Sequence, residues 1–342
     1  MSISLNTPAG KEKVTIVEVA EEAGVSVSAV SRAFNPEASC SDNMRAKVMA
    51  AAQQLGYKPN RLARGIRAQS RLIGILMADF CNPAYLPILN DFTLTLQQAG
   101  YHSLLLNVGE DMDIREAMEL VMEYQVDGLI VTSSTLSPEL VEICHEQQTP
   151  VITFARHSRN NPVMAVCCDN VSGGNMAAET LSAAGYQNFA YISGVPGATT
   201  TLDRQRGFIG RLVELGHEQW QVVDGGAHSH EAGYQAACQL FNQDNPPDAL
   251  FFSNDIMACG GMDAVRNEFG LRVPEDVGIM GFDDIQLAQN QAYNLTTIRQ
   301  PFGDMVNTTV EKLLEGIKDN ESRVEKTPVI LPCELIVRGS VR

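Results

Sequence analysis

The sequence has few aromatic residues and no long apolar run. One tryptophan occurs in 342 residues, and aromatic side chains make up 6% of them. A membrane-spanning helix needs about 20 successive apolar residues, and no segment reaches that length. Residues 1–13, MSISLNTPAGKEK, lack the apolar core of a secretory signal. These absences predict a protein that is not exported, does not cross a membrane and works in the cytoplasm.

Sequence motifs of several enzyme classes are also missing. The glycine-rich pieces match neither GxxxxGK[ST] nor GxGxxG after a strand, and neither GxSxG nor HExxH occurs. The eight cysteines form no CxxC pair, and beyond one HSH the six histidines show no metal-ligand spacing. This favours reduced thiols over a zinc site or a disulfide framework. Asp283 and Asp284 are an acidic pair, but neighbours at a strand end normally point apart. We therefore expect no catalytic site, metal or cofactor.

Basic residues are scarce, and they are unevenly distributed. The formal net charge is −16, yet residues 1–70 carry nine Lys and Arg against six Asp and Glu. The front of the chain is thus +3 and the remaining 272 residues carry −19. An acidic protein binds nucleic acid poorly as a whole, but a separate basic segment can meet phosphates. The asymmetry favours a small DNA-binding headpiece on a large acidic body.

The basic front of the chain contains two short helices joined by a tight turn. In TIVEVAEEAG the apolar residues recur at helical spacing, with Thr15 as the N-cap and Glu18 as its capping-box partner. Gly24 supplies the positive φ that a sharp turn needs. Ser26 is placed to cap a second helix over Val27–Phe34.

The second helix has the composition of a DNA-reading helix. Ala20 on the first helix allows close approach and Val30 packs back on it, which is the pattern of a helix-turn-helix. Such a unit inserts the N-terminal end of its second helix into the major groove. Small outward residues permit close contact, and one guanidinium can fork onto a guanine edge. The outward residues are Val27, Ser28, Ser31 and Arg32, and the inner face is Val27, Val30, Ala33 and Phe34. Two helices of an ordinary bundle are the alternative.

A third helix and a short connecting segment follow. The third helix is predicted over Asp42–Leu55 and ends at Gly56, after which Pro59 favours extended backbone. Arg61–Arg67 has apolar residues on one side, but a helix of seven residues is marginal in water. We expect it to order only against a copy of itself or on DNA. An ordinary interdomain linker is the alternative.

Beyond Arg71, apolar strand-like runs alternate with helical stretches. The runs are RLIGILM, HSLLLNV, DGLIVTS, PVITFA, AVCCD, NFAYISG, WQVVDG, DALFFS and VGIMGF. Strands alternating with helices predict parallel doubly wound sheets. Two such runs of similar composition predict two subdomains with a cleft between them. Ligands of such sheets bind off the carboxyl ends of the strands, so residues just after each strand are the binding candidates.

Several stretches, in this order, resemble the LacI/GalR family of bacterial transcription regulators. They are TIVEVAEEAGVSVSAVSRAFN, LGYKPNRLARGI, SNDIMACGGMDAVRNEFGLRVPEDVGIMGFDD, LTTIRQP and the terminal LIVRGS. The resemblance implies a homodimer with an N-terminal helix-turn-helix and a hinge helix. It also implies an effector domain similar to periplasmic sugar-binding proteins. The expected fold is a small all-α helix-turn-helix headpiece plus an α/β effector region of two doubly wound parallel-sheet subdomains.

This resemblance divides the chain into four expected parts. They are a tail over 1–13, the helix-turn-helix domain over 14–58, the hinge over 59–70 and the effector and dimerisation domain over 71–342. Within the last part, one subdomain comprises 71–169 plus 300–327. The other comprises 170–298 plus 328–342.

The resemblance also assigns DNA contacts. Val27 and Ser28 match the family's base-reading pair, and Arg32 matches its arginine. Positions that hold phosphates in the family are Thr15, Ser26, Ser31 and Asn35, and hinge positions are Asn60, Leu62, Ala63 and Ile66. In relatives a leucine of the hinge wedges into the central base step. Here that residue is Ile66, and isoleucine can also intercalate.

Three effector contacts follow from matched motifs. Arg204 of DRQRGF matches the arginine that binds ligand, Asp283 of GFDD matches the acid, and Asn254 of SND matches a nearby polar contact. Carboxylates accept from hydroxyls and guanidinium donates to oxygens, which suits a polyhydroxylated ligand. Asp255 is expected to be the N-cap of its helix.

Four further residues complete the expected pocket. Asp79 follows the first strand, Tyr85 falls where relatives place a stacking aromatic, and His228 falls where they often have Trp or Phe. Arg156 stands where some relatives have an acid. A second arginine in the cleft predicts an anionic ligand such as a sugar acid or a sugar phosphate. Pairing of Arg156 with a local acid is the alternative.

The sequence therefore predicts a homodimeric repressor that binds a roughly palindromic double-stranded operator under the control of a small-molecule effector. We expect a sugar or sugar derivative. The alternatives are a solute-binding protein of the uptake type, against which the headpiece argues, and a corepressor-type regulator that binds a nucleobase. A sugar-processing enzyme would need a catalytic constellation that the sequence lacks.

Overall fold

The computed structural model describes residues 14–34, 38–57, 70–80, 82–108, 121, 123–132, 142, 144, 149–157, 163–319 and 327–342. The chain divides into two units, Met1–Ser70 and Arg71–Arg342. Within the described part, no helix combines the length and the apolar composition needed to span a membrane.

Three helices form the described part of the first unit. They are α1 (Ile16–Ala23), α2 (Val27–Phe34) and α3 (Asp42–Leu55). Thr15 and Glu18 form the predicted capping box, and Gly24 takes the left-handed conformation, with φ 63°. The Ser26 hydroxyl accepts from the Ala29 amide at 3.3 Å, as expected of a cap. The predicted helix-turn-helix is confirmed.

A small apolar core holds the three helices together. Its most buried members are Val19, Val30, Ala33 and Val48, all with 0% exposure. Ala29 takes the inner place predicted for Val27, which is 43% exposed. Val27 therefore belongs to the outward face alone.

The first sheet of the second unit is parallel and six-stranded, in the order β11-β5-β4-β3-β1-β2. Its strands are β1 (Leu72–Met77), β2 (His102–Asn107), β3 (Gly128–Thr132), β4 (Val151–Phe154), β5 (Met164–Cys168) and β11 (Val329–Leu331). Helices α4 (Tyr85–Gln98) and α9 (Phe302–Asp319) pack with it.

The second sheet also has six strands, in the order β12-β10-β9-β8-β6-β7. Only β12 is antiparallel. Its strands are β6 (Phe189–Ser193), β7 (Trp220–Asp224), β8 (Ala249–Phe252), β9 (Gly278–Asp283), β10 (Thr296–Arg299) and β12 (Glu334–Ile336). The accompanying helices are α5 (Asn170–Ala183), α6 (Thr199–Glu214), α7 (His230–Phe241) and α8 (Asp255–Asn267), with a 3-10 turn at Gln286–Gln289.

The chain passes between the two sheets three times. It leaves the first sheet after β5, returns after β10, and leaves again between β11 and β12. The predicted boundary at residue 328 is wrong, because Val329–Leu331 still pairs with β5 of the first sheet. Its three residues are too few to show a strand pattern in the sequence.

Helices α5 and α6 approach at backbone distance. A methyl group added at Gly174 would collide with the Arg204 carbonyl oxygen, and one added at Gly207 would collide with that of Val171. Glycine at these positions removes the side chains that would separate the helices. The close approach fixes where α6 places Arg204, which is 3% exposed.

We predict that Gly207→Ala lowers the free energy of unfolding by about 1–3 kcal/mol, because the added methyl overpacks a backbone contact. Gly210→Ala on the same helix is the matched control, since a methyl there meets nothing within 4 Å. It should be neutral or stabilise by up to about 1 kcal/mol. Urea denaturation of both variants checks this, and equal stabilities would contradict the packing account.

Candidate functional site

The outward face of the headpiece carries the residues predicted to contact DNA. Thr15, Ser26, Val27, Ser28, Ser31 and Arg32 are all exposed. Arg32 forms no hydrogen bond or ion pair with any residue that the structure describes. The face is therefore small in side-chain volume and carries one available guanidinium. Asn35, Asn60, Leu62, Ala63 and Ile66 lie outside the described residues.

One headpiece residue that the sequence reasoning missed is Arg45. Its guanidinium donates to the carbonyl oxygens of Ala33 at 2.7 Å and Ala38 at 3.5 Å. These bonds tie α3 to the C-terminal end of α2. The role depends on a contact 12 residues away, which no local pattern indicates.

A cleft of about 400 Å³ opens between residues of both subdomains. Six of the seven predicted effector contacts line it: Tyr85, Arg156, Arg204, His228, Asn254 and Asp283. Asp79 lies behind His228, with its carboxylate 3.9 Å from the imidazole Nδ1. The structure thus gathers these residues in one place, and their contact with a ligand stays a prediction.

Arg204 contacts four other residues through its guanidinium. Its Nε donates to Asn170 Oδ1 at 2.8 Å and its Nη1 to the Ser253 carbonyl oxygen at 2.5 Å. Its Nη2 lies 3.8 Å from Asp283 Oδ1, and the guanidinium carbon stacks 3.6 Å from the centre of the Phe282 ring. Nε and Nη1 are hydrogen-bonded inside the protein, and Nη2 has only the ion pair with Asp283, so Arg204 shapes the pocket and its contact with a ligand stays a prediction.

Asp283 is the partner of Arg204 and ends β9. Burial raises the pKa of its carboxyl to about 6, although Arg204 and a hydrogen bond from Gln300 both oppose that rise. The Gln300 amide donates to Asp283 Oδ1 at 2.6 Å. Asp284 turns the other way and pairs with Arg299 and Arg338 at 2.7 and 2.5 Å. The prediction that the two carboxylates point apart is confirmed.

His228 is neutral in the cleft. Burial lowers its pKa to about 3, and the positive charges of Arg156 and Arg204 add to that effect. Its Nε2 lies 3.1 Å from the Ser253 hydroxyl. A methyl at Gly194 would collide with this imidazole, so a glycine after β6 is what makes room for it. Neutral imidazole offers one donor and one acceptor instead of a charge.

Three groups at the cleft have no partner among the described residues. The Asn254 Nδ2 donor and the Gln300 Oε1 acceptor are buried without a hydrogen bond. The Arg156 guanidinium forms no ion pair or hydrogen bond within the described part of the chain. Buried polar groups without partners cost free energy. A bound polar ligand would remove that cost.

Asp255 is not the N-cap of its helix. Asn254 caps α8, with its side-chain oxygen accepting from the Met257 amide at 3.2 Å. Asp255 is fully buried instead and accepts from the Ile285 amide at 2.9 Å and the Thr297 hydroxyl at 2.5 Å. Burial raises its pKa to about 7, assisted by the charge of Asp283. Asn and Asp are both common N-cap residues, and the helix begins so that Asn254 occupies the N-cap position.

The sequence reasoning missed several cleft residues. Polar lining also comes from Asn82, Thr200 and Gln300, and apolar lining from Ala84, Ile88, Phe154, Ala155 and Phe302. Gln300 directly follows β10, so the rule of residues after strands would have found it. That strand, TTIR, has only four residues, which is too short for a clear strand pattern in the sequence.

Each of the two units of the chain matches a known protein family. Residues 15–60 match the model of bacterial regulatory proteins of the lacI family. Residues 178–341 match the periplasmic binding protein-like domain.

Similar proteins cover nearly the whole chain. The probable HTH-type transcriptional repressor ExuR of Bacillus subtilis (strain 168) is 30% identical over 96% of this chain and 98% of its own. The lac repressor dimer bound to operator and the anti-inducer ONPF superposes with a TM-score of 0.82 at 27% identity, over 96% and 99% of the two chains. The transcriptional regulator CelR in complex with cellobiose has a TM-score of 0.72 at 26% identity, over 96% and 100%.

A helix-turn-helix joined to a periplasmic-binding-like cleft defines a class of DNA-binding transcriptional regulators. Within that class, the chain belongs to the LacI family. Its relatives are transcriptional repressors and not enzymes, as the sequence predicts.

The two arginines of the cleft should respond differently to substitution. Arg204→Ala leaves the Asp283 carboxylate buried without its cation, so we predict a loss of about 3–5 kcal/mol of unfolding free energy. Arg156→Gln removes no internal bond and should change stability by less than about 0.5 kcal/mol. Thermal and urea unfolding of the ligand-free variants measure both. Equal destabilisation would show that Arg156 is also part of the internal frame.

Proposed function

We propose that this protein is a homodimeric repressor whose affinity for an operator is controlled by a small anionic sugar derivative bound in the cleft. The observation that carries the proposed effector binding is a set of three cleft groups that have no partner among the residues the structure describes: Arg156, Asn254 Nδ2 and Gln300 Oε1. In this account the ligand favours one arrangement of the two subdomains, and operator affinity changes because the two arrangements bind DNA differently.

The exposed face of α2 supports the proposal that the protein binds operator DNA. Its exposed residues are small enough for the helix to lie deep in a major groove, and Arg32 is available to donate to both acceptors of a guanine. The similar lac repressor was solved as a dimer on its operator. Two symmetric headpieces read a roughly palindromic site.

Exposed apolar side chains support the homodimer. The outermost strands β2 and β7 carry Leu105, Trp220 and Val222, each at least 40% exposed. Leu86 on α4 is 75% exposed. Exposed apolar residues on edge strands are open to coverage by another chain. A second copy of this chain is the occupant we propose.

The charge balance of the cleft favours a ligand with one negative charge. Arg204 is paired with Asp283 and His228 is neutral, which leaves Arg156 as the lining cation without a carboxylate partner among the described residues, while Asp79 lies next to His228. A carboxylate matches a single planar guanidinium. A phosphate would bring close to two negative charges into a cleft that also contains Asp283 and lies near Asp79. A sugar acid therefore fits better than a sugar phosphate.

Other cleft groups fit a hydroxylated ring. Asn254 offers a donor, Gln300 an acceptor, and the Asp283 carboxylate accepts from hydroxyls. The rings of Phe154 and Phe302 supply apolar surface for the C–H groups of a sugar. The similar regulator CelR was solved with cellobiose, which supports a carbohydrate over a nucleobase.

For the DNA half, we predict that Arg32→Ala weakens specific binding roughly 10- to 100-fold, because the arginine reads a base edge. The measurement is fluorescence anisotropy against an operator selected from a random-sequence pool and against a scrambled duplex. Lys47→Ala, which removes an exposed charge from α3, is the control. It should affect both duplexes equally. Equal loss on both duplexes for Arg32→Ala would make this residue a phosphate contact.

For the effector half, we predict that sugar acids bind and that their neutral parents do not. Glucuronate, glucose and glucose 6-phosphate differ only at C6, as do the matching galactose compounds. Calorimetric titration should favour a uronate over its neutral and phosphorylated counterparts. Arg156→Gln should weaken that binding by about 1.5–3 kcal/mol, the value of a hydrogen bond to a charged group.

Three results would contradict this assignment. They are equal binding of glucuronate and glucose, full uronate affinity in the Arg156→Gln protein, and binding of a neutral purine in place of every sugar. Because Arg156 forms no bond with the other described residues, unfolding measurements on Arg156→Gln separate a loss of binding from misfolding.

A further inference from the structure

Two thiols lie where the chain crosses between the subdomains. Cys168 is the last residue of β5, and the chain enters the second subdomain directly after it. Cys333 lies between β11 of the first sheet and β12 of the second. Two of the three crossovers therefore carry one cysteine each.

The geometry brings these thiols together. Strands β5 and β11 are paired in register with Leu331 opposite Cys168, and the Asp169 amide donates to the Leu331 carbonyl oxygen at 2.8 Å. The Cys333 thiol donates to the Asp169 carbonyl oxygen at 3.4 Å. The Cys168 and Cys333 thiols are also close enough for each to be the largest influence on the pKa of the other. The strand pairing therefore holds the two thiols side by side at the crossovers.

The two thiols differ in reactivity. Cys333 is partly exposed, and the hydrogen bond from Cys168 lowers its pKa, which increases its thiolate fraction. The same bond raises the pKa of Cys168, which is only 2% exposed. An accessible, acidified thiol beside a protected one is the arrangement of a reacting and a resolving cysteine. Cys167, the neighbour of Cys168 on β5, is 1% exposed.

We propose that Cys168 and Cys333 are a redox modification site that forms a reversible disulfide on exposure to a hydroperoxide. The Cys333 thiolate attacks one peroxide oxygen, the O–O bond breaks, and a sulfenic acid and one water result. The Cys168 sulfur then attacks the Cys333 sulfur and gives up its proton as the second water leaves. In total, two thiols and one hydrogen peroxide become one disulfide and two waters, and a dithiol reductant reverses the reaction.

The bond would tie together two of the segments on which the subdomains move. Any change in the angle between the sheets must pass through the three crossovers. A covalent link between the first and the third of them restricts that change. The effect of oxidation on repression rests on the proposed function, whereas formation of the bond does not.

The first test is a non-reducing peptide map of the full-length protein. Reduced protein is treated with hydrogen peroxide, the remaining thiols are alkylated, and the digest is analysed by mass spectrometry. We expect a peptide pair joined through residues 168 and 333, lighter by two hydrogens and absent after dithiothreitol. Cys333→Ser should abolish it. Cys167→Ser should retain it, which also assigns the linked sulfur of the adjacent pair.

Two outcomes would overturn the proposal. One is oxidation of Cys333 to sulfinic acid without a link to Cys168. The other is a link that survives in the Cys168→Ser protein through Cys167.

A second test addresses the crossovers and needs no ligand. Hydrogen exchange is compared between the oxidised and reduced proteins for the peptides that span residues 165–172 and 330–337. We expect at least tenfold slower exchange at both crossovers after oxidation, restored by dithiothreitol, with no change on α7. Unchanged exchange in fully oxidised protein would contradict the restriction of the crossovers.

Discussion

The effector domain depends on one buried cation. Arg204 is 3% exposed, and a guanidinium in that position is tolerated only when its donors and its charge are satisfied. The structure satisfies them with Asn170 at the start of α5, the Ser253 carbonyl after β8, and Asp283 at the end of β9. These requirements explain why α5 and α6 touch through glycines, and why the polar ends of the strands converge on one point.

The same arrangement sets the charge that a ligand encounters. Because Arg204 is paired with Asp283 and His228 is held neutral, Arg156 is the lining cation without a carboxylate partner among the described residues. The unpartnered amide groups of Asn254 and Gln300 add a donor and an acceptor beside it. In the proposed function, stability and recognition are divided between two arginines: Arg204 holds the pocket together and Arg156 contacts the ligand.

Much of the fold could be predicted from the sequence, because its signals are local. The capping box at Thr15, the left-handed Gly24 and the apolar runs of the central strands depend on near neighbours, and all were predicted correctly. The return strands β10 to β12 have only three or four residues each, so their pairing is decided by distant partners. For the same reason the sequence identified Arg204 as a cleft residue but not its internal role, and it missed Gln300. Backbone geometry also determines that Asn254, and not Asp255, is the N-cap of α8.

The most direct test of this account is a crystal structure of the protein with a bound uronate. The account predicts that the ligand carboxylate lies on the Arg156 guanidinium, that its hydroxyls contact Asn254, Asp283 and Gln300, and that the bonds from Arg204 to Asn170 and Ser253 are unchanged. A carboxylate bound to Arg204 in place of Asp283, or a ligand seated outside the cleft, would contradict it.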